Sequence, residues 1–162
     1  MHAGYFALSW QPVTLHVFES ELWLPVPLEK VFPFFADARN LELLTPPWLN
    51  FQVLTPGEIK MKTGAKIDYQ LRVHGLRVRW QSEITIWNPP HQFADEQRRG
   101  PYLRWSHTHT FAGKDGGTFC RDHVCYAVPG GALINRLFVR RDVEKIFNYR
   151  RTALKKYFGV NG

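Results

Sequence analysis

The residues best placed to do chemistry lie between Phe93 and Phe111, FADEQRRGPYLRWSHTHTF. From Leu103 the odd positions read Leu103, Trp105, His107, His109 and Phe111, while the even ones are Arg104, Ser106, Thr108 and Thr110. Alternation of period two marks a strand with one buried and one wet face. The face carrying the large apolar groups therefore takes two imidazoles inward. Upstream, Phe93, Asp95 and Gln97 alternate in the same way. Buried polar groups need partners. A strand that buries imidazoles, a carboxylate and an amide suits a cavity wall better than an ordinary core.

Three kinds of chemistry are open to this set. His107 and His109, at positions i and i+2, can converge, with Asp95 on the preceding strand and Asp122 on the following one as carboxylates. They can satisfy one another as a buried hydrogen-bond network. A histidine held by a carboxylate can act as general acid or base. Two imidazoles and a carboxylate are also a metal-ligand set. The expectation drawn from spacing is the network, with no metal and no cofactor.

The elements that must position these groups follow from pattern and punctuation. Thr14 to Leu24 reads as a first strand, ended by Pro25 and Pro27. A short helix follows from Leu28 to Phe35, limited or kinked by Pro33. Asp37 is an N-cap candidate for a second short helix to Leu44, which Pro46 and Pro47 stop. Strands are then expected at Phe51–Leu54, Lys66–His74, Leu76–Trp87, Phe93–Arg98, Tyr102–Phe111 and Thr118–Val128. Ile67, Tyr69, Leu71 and Val73 share one face. Val78, Trp80, Ile84 and Ile86 are expected to share the inward face of the next strand. Ala132 to Phe158 contains neither Gly nor Pro and spaces Leu133, Leu137, Val143, Phe147, Leu154 and Phe158 as a helix does, over about 40 Å. The result is an α+β fold: seven antiparallel strands, too wide for one helix to cover flat, curling around a terminal helix.

Composition narrows the classes further. A chain of 162 residues that is 44% hydrophobic is large enough for one well-buried domain, expected over 1–162 with its core at about 13–158. No apolar run reaches the length of a membrane span, and MHAGYFALSWQP lacks a signal-peptide pattern, so a cytoplasmic location is expected. Cys120 and Cys125 fall on opposite faces of one strand and are expected to be reduced. The net charge of +7 concentrates in the last helix, where eight basic residues between Arg136 and Lys156 face only Asp142 and Glu144. Such a helix offers a solvated face or a patch for an anionic membrane. It lacks the aromatic and basic strand platform of a nucleic-acid binder, so no nucleic acid is expected.

Particular residues carry a resemblance. They are Leu24-Pro25, Val31-Phe32, Phe34-Phe35, Asp37, Asn40-Leu41 and Thr45-Pro46-Pro47. Gly100-Pro101-Tyr102 follows, leading into Trp105, His107, His109 and Phe111. Gly117-Thr118, Asp122, Tyr126, Pro129-Gly130 and Phe147-Asn148-Tyr149-Arg150 complete the set. From about Val13 to Phe158 the chain resembles the START, polyketide-cyclase and birch-pollen-allergen (SRPBCC) superfamily, in a bacterial branch of mostly unassigned function. The resemblance implies a helix-grip fold with a hydrophobic ligand cavity between sheet and terminal helix, and it names no ligand.

On that reading the ligand-binding candidates are Tyr69, Trp80, Phe93, Gln97, Trp105, His107, His109, Asp122, Tyr126, Phe147 and Arg150. Arg150 follows Phe147 by three and Ile146 by four, which turns it inward and Arg151 away. Arg98 and Arg99, before Gly100, either cap the cavity mouth or stand exposed. The expected function is a binding or carrier protein for a lipid, quinone or polyketide-like molecule, with transient anionic membrane contact through the last helix. The alternative is a polyketide cyclase, aromatase or dehydratase using His107, His109, Asp95 or Asp122 as general acid and base.

Overall fold

The computed structural model describes residues 13–160. Strand β1 (His16–Leu24) leads through Pro25 and Pro27 into α1 (Leu28–Ala36). Helix α1 is short, as Pro33 demands; that proline lies on the exposed side, where a missing N–H is tolerated. Asp37 caps the next turn, accepting from the Arg39 N–H at 2.9 Å, ahead of α2 (Leu41–Leu44). Six further strands follow: β2 (Gln52–Val53), β3 (Lys66–Val73), β4 (Leu76–Asn88), β5 (Gln92–Arg99), β6 (Arg104–Lys114) and β7 (Gly117–Ala127). They form one curved antiparallel sheet in the order β1-β7-β6-β5-β4-β3-β2.

Two hairpins have two-residue turns whose central residues both take positive φ: His74-Gly75 (49° and 83°) and Asp115-Gly116 (53° and 75°). That geometry matches the twist of the flanking strands and favours glycine at its second place. The second of these fixes β6 against β7 so that His109 lies opposite Asp122 and His107 opposite Val124.

Parity changes once within β4. Its register to β5 shifts between Ile84 and Ile86, so Ile86 turns outward, 42% exposed, while Trp87 packs on Phe32 and Phe93. An inserted residue reverses every face beyond it, which is why simple alternation misplaces Ile86. Leu103 also departs from expectation. It lies in the turn before β6 and is exposed.

The terminal helix has three parts: α3 (Gly131–Ile134), a wider π-turn at Asn135–Val139, and α4 (Arg140–Tyr157). Its buried stripe runs through Asn135, Val143, Phe147, Arg150 and Leu154. Leu133 and Leu137 were expected inward on spacing, but both are exposed, as are Ile134 and Phe138. The buried Asn135 accepts from the Tyr126 hydroxyl at 2.9 Å. That anchor, and the π-turn at it, set which side of this first stretch meets the sheet. The core divides into a cluster packed around α1 (Leu24, Val31, Phe32, Phe111, Leu154), one packed around α4 (Val124, Tyr126, Val143, Phe147) and a third of Ala38, Ile67 and Ile84.

Candidate functional site

Between these packed regions lies a cavity of about 1120 Å³. Aromatic and aliphatic side chains supply most of its wall, among them Phe35, Tyr69, Trp80, Phe93, Trp105 and Phe147. The mouth is bordered by the β3–β4 turn at His74-Gly75 and by Ile134 and Phe138 of the terminal helix. His74 Nε2 lies 2.8 Å from Asp142 Oδ2, joining that turn to α4.

The polar groups form a line across five strands. Trp80 Nε1–H donates to Ser82 Oγ at 3.2 Å, and Ser82 donates to Asp95 Oδ1 at 2.9 Å. With the Ser82 proton used in that way, the Tyr69 hydroxyl at 2.9 Å is a donor to Ser82. Asp95 Oδ2 is 3.9 Å from His107 Nδ1. On its other side, His107 Nε2 lies 3.0 Å from Asp122 Oδ1, which is also 2.8 Å from His109 Nδ1 and 3.9 Å from Arg150 Nη1. The His109 approach is close but poorly aligned, leaving its Nδ1 without a formed hydrogen bond; Arg150 Nε is likewise unpartnered.

Burial and charge set the protonation states. Burial first, then the neighbouring His107, lowers His109 to about 4, against the favourable pull of Asp122. His109 is therefore neutral at pH 7. Burial pushes Asp122 upward, but the hydrogen bond from His107 and the close approach of the His109 ring hold its carboxyl well below the usual carboxylate range. It is ionised. Burial, followed by the charge of Asp95, raises the Tyr69 phenol well above its ordinary value, so it remains a donor. Arg150 lies over the Phe147 ring, 5.0 Å from its centroid, and is buried among these groups.

Eight of the residues expected at the cavity do line it: Tyr69, Trp80, Phe93, Trp105, His107, His109, Phe147 and Arg150, with Asp95 beside them. Three do not. Gln97 donates to the Tyr102 carbonyl at 2.8 Å and accepts from its N–H at 3.3 Å, clamping the turn that contains Gly100. A side chain at Gly100 would displace that amide from its two hydrogen bonds, so glycine leaves room for the clamp. Tyr126 lies behind Tyr102 and Trp105 and bonds to Asn135. Asp122 stands behind the imidazoles, bordering a small cleft with Ser20, Arg150 and Arg151. Arg151 is not turned wholly away, since it donates to Ser20 at 3.3 Å. Arg98 is exposed and pairs with Glu83 and Glu96 on the outer face.

Ser82 was missed by sequence reasoning although parity pointed to it. It sits between Trp80 and Ile84 on the inward face, where a lone hydroxyl demands a partner. Cys120 is free and buried, with burial first and Asp122 second pushing its thiol up to about 12; Cys125 is free and half-buried. Among the described residues no helix is long and apolar enough to cross a membrane.

The chain is similar in fold to several solved proteins. Zhui aromatase/cyclase from Streptomyces sp. R1128 superposes with a TM-score of 0.70 at 16% identity, covering 90% of this chain and 94% of that one. Ara h 8.0201 gives 0.68 at 18% identity, with 91% and 100% covered. Protein Ms6760 from Mycobacterium smegmatis gives 0.66 at 19%, with 91% and 98% covered. No curated protein matches the sequence significantly. At these identities the structures speak to fold alone. The family described as polyketide cyclase / dehydrase and lipid transport matches residues 24–154, a span that holds β3 to β7, the cavity and most of α4. The chain belongs to that family, within the SRPBCC superfamily.

Proposed function

We propose that this protein binds a hydrophobic small molecule, lipid-, quinone- or polyketide-like, in the cavity between the sheet and α4. The observation that carries the reading is the cavity itself: about 1120 Å³, at the upper end of small-molecule sites, walled by aromatic rings and broken by one polar cluster. The apolar body of the ligand would lie against Trp80, Trp105 and Phe147. Its polar end would meet Arg150, His107, His109 and Asp95. Arg150 has a buried Nε with no partner, a donor suited to a carbonyl or acidic oxygen.

Delivery from an anionic membrane surface fits the mouth. Leu133, Leu137 and Phe138 are exposed beside it, and Arg136, Arg140 and Arg141 flank them. The test is displacement of an apolar fluorescent probe by fatty acids, quinones and polyphenols, with Leu71→Trp as a variant that fills the cavity wall. Saturable binding, weakened about tenfold by Leu71→Trp without loss of folding, supports the proposal. Failure of any apolar probe to saturate refutes it. Membrane contact is tested by sedimentation with anionic against neutral vesicles.

A second reading, a cyclase- or dehydratase-type enzyme, is favoured by one observation. His109 is neutral, faces the cavity and has a carboxylate behind it, the arrangement of a general base. Proton exchange into an acidic C–H position of a bound polyketide-like diketone, lost in His109→Gln but not in Leu71→Trp at saturation, is its signature.

A further inference from the structure

We propose that Asp95, His107 and His109 form a binding site for a divalent transition-metal ion, open to the cavity and backed by Asp122. The proposal goes beyond the ligand-binding reading and does not depend on which ligand the cavity takes. Each of the three residues brings one ligand-capable atom within 4.8 Å of the other two. Donors held at 2.0–2.2 Å from one ion at tetrahedral angles stand about 3.4 Å apart. The 3.9 Å between Asp95 Oδ2 and His107 Nδ1 is about half an ångström beyond that. The remaining pairs, within 4.8 Å, must close by up to about 1.4 Å, which ring rotation and a swing of the carboxylate would supply.

What separates this cluster from a plain hydrogen-bond network is the position of Asp122. It borders the cleft behind the imidazoles, whereas Asp95, His107 and His109 all line the cavity. Its Oδ1 lies at Nε2 of His107 and at Nδ1 of His109, so each ring has its opposite nitrogen to offer. A carboxylate behind a metal-bound imidazole fixes the tautomer and makes the ring a better ligand. Here one carboxylate serves two rings. The sequence favours the metal-free network because the same groups can satisfy one another without an ion, and spacing does not tell which nitrogen a carboxylate takes.

The surroundings fit an ion as well. Phe93 stacks on His109 at 4.2 Å between ring centroids, and Phe147 meets His107 edge-on at 5.5 Å, holding both rings in an apolar frame. With the imidazoles neutral, the form that binds metal, two carboxylates face one guanidinium and leave a negative charge for a cation to neutralise. Two imidazoles and one carboxylate suit the zinc, iron and cobalt class rather than calcium or magnesium. Three protein ligands leave positions facing the cavity, where an oxygen of a bound molecule could enter.

The test is titration of Co²⁺ and Zn²⁺ into the chelator-treated full-length protein, followed by calorimetry and by the visible absorption of cobalt. One ion per chain is expected. Asp95→Asn and His109→Ala should each weaken binding about a hundredfold, and Asp122→Asn by 10–100-fold although it touches no metal. His91→Ala, an exposed imidazole in the turn between β4 and β5 and away from the cavity, should change nothing. Asp95→Asn keeps the side-chain shape and the Ser82 hydrogen bond, so it decides the matter even if His109→Ala folds poorly. Substoichiometric uptake, or an affinity indifferent to Asp95→Asn, overturns the proposal. Apolar-probe binding in chelator reports separately on the ligand-binding reading, so the two can fail independently.

Discussion

Removing the His107 ring asks how much of the polar cluster is structural. His107 is buried, and its Nε2 donates to the ionised Asp122 at 3.0 Å. A hydrogen bond to a charged group contributes about 1.5–3 kcal/mol, and stripping a buried charge of its partner costs about 3–5 kcal/mol. Two features lower the second figure. Asp122 would still have His109 at 2.8 Å and Arg150 at 3.9 Å. The space vacated opens on the cavity, so water can enter and solvate what is left. His107→Ala should therefore destabilise by about 2–3 kcal/mol. Urea denaturation in the presence of chelator, read by tryptophan fluorescence, measures it; Trp105 lies 6.5 Å from the His107 ring and reports directly. Pairing with Asp122→Asn completes a double-mutant cycle, in which a coupling energy of at least about 1 kcal/mol is expected because the second change removes the stranded charge. A single-variant effect below about 0.5 kcal/mol, or strictly additive effects, would refute the reasoning and leave His107 as a ligand contact alone.

Acid should destabilise the protein. His109 is held at about 4 against 6.5 in an ordinary environment, so the unfolded chain takes up this proton first and stability falls as pH drops between those values. At full extent the loss is about 3 kcal/mol, and His109→Gln should flatten it; denaturation in chelator across that range is the check, and stability that rises on acidification contradicts it. Asp122, whose folded value is depressed, adds its own loss only below the ordinary carboxylate range. Gly117→Ala would drive a methyl into the Leu24 carbonyl and the Trp23 ring, and should cost about 1–3 kcal/mol by thermal melt. Tyr126→Phe leaves the buried Asn135 amide oxygen without its donor and should cost about 1 kcal/mol, with hydrogen exchange rising first in the π-turn.

The fold was legible because period and punctuation agree along most of the chain. Ile67, Tyr69 and Leu71 in β3, and His107, His109 and Phe111 in β6, keep strict alternation between clear turns, so each strand announces its inward face. Errors gathered where a local device breaks the period. The bulge near Thr85 exchanges Ile86 for Trp87. The π-turn, anchored by Asn135, turns Leu133 and Leu137 to solvent. Both devices are set by tertiary contacts, and neither residue type nor spacing encodes them.

The site was legible as a set of residues but not as an arrangement. Parity places Asp95, His107, His109 and Asp122 on one surface, and there it stops. It cannot say that Asp95 opens on the cavity while Asp122 closes the back of it, since the two differ only in how the sheet curves and in where α4 brings Arg150. Gln97 shows the same limit from the other side. Its parity is inward, yet the turn through Gly100 returns the chain over it and takes both ends of its amide. The chemistry of the cluster therefore resides in depth rather than in spacing. Asp122 alone faces imidazole nitrogens from behind, and that one placement sets which nitrogens the cavity can use.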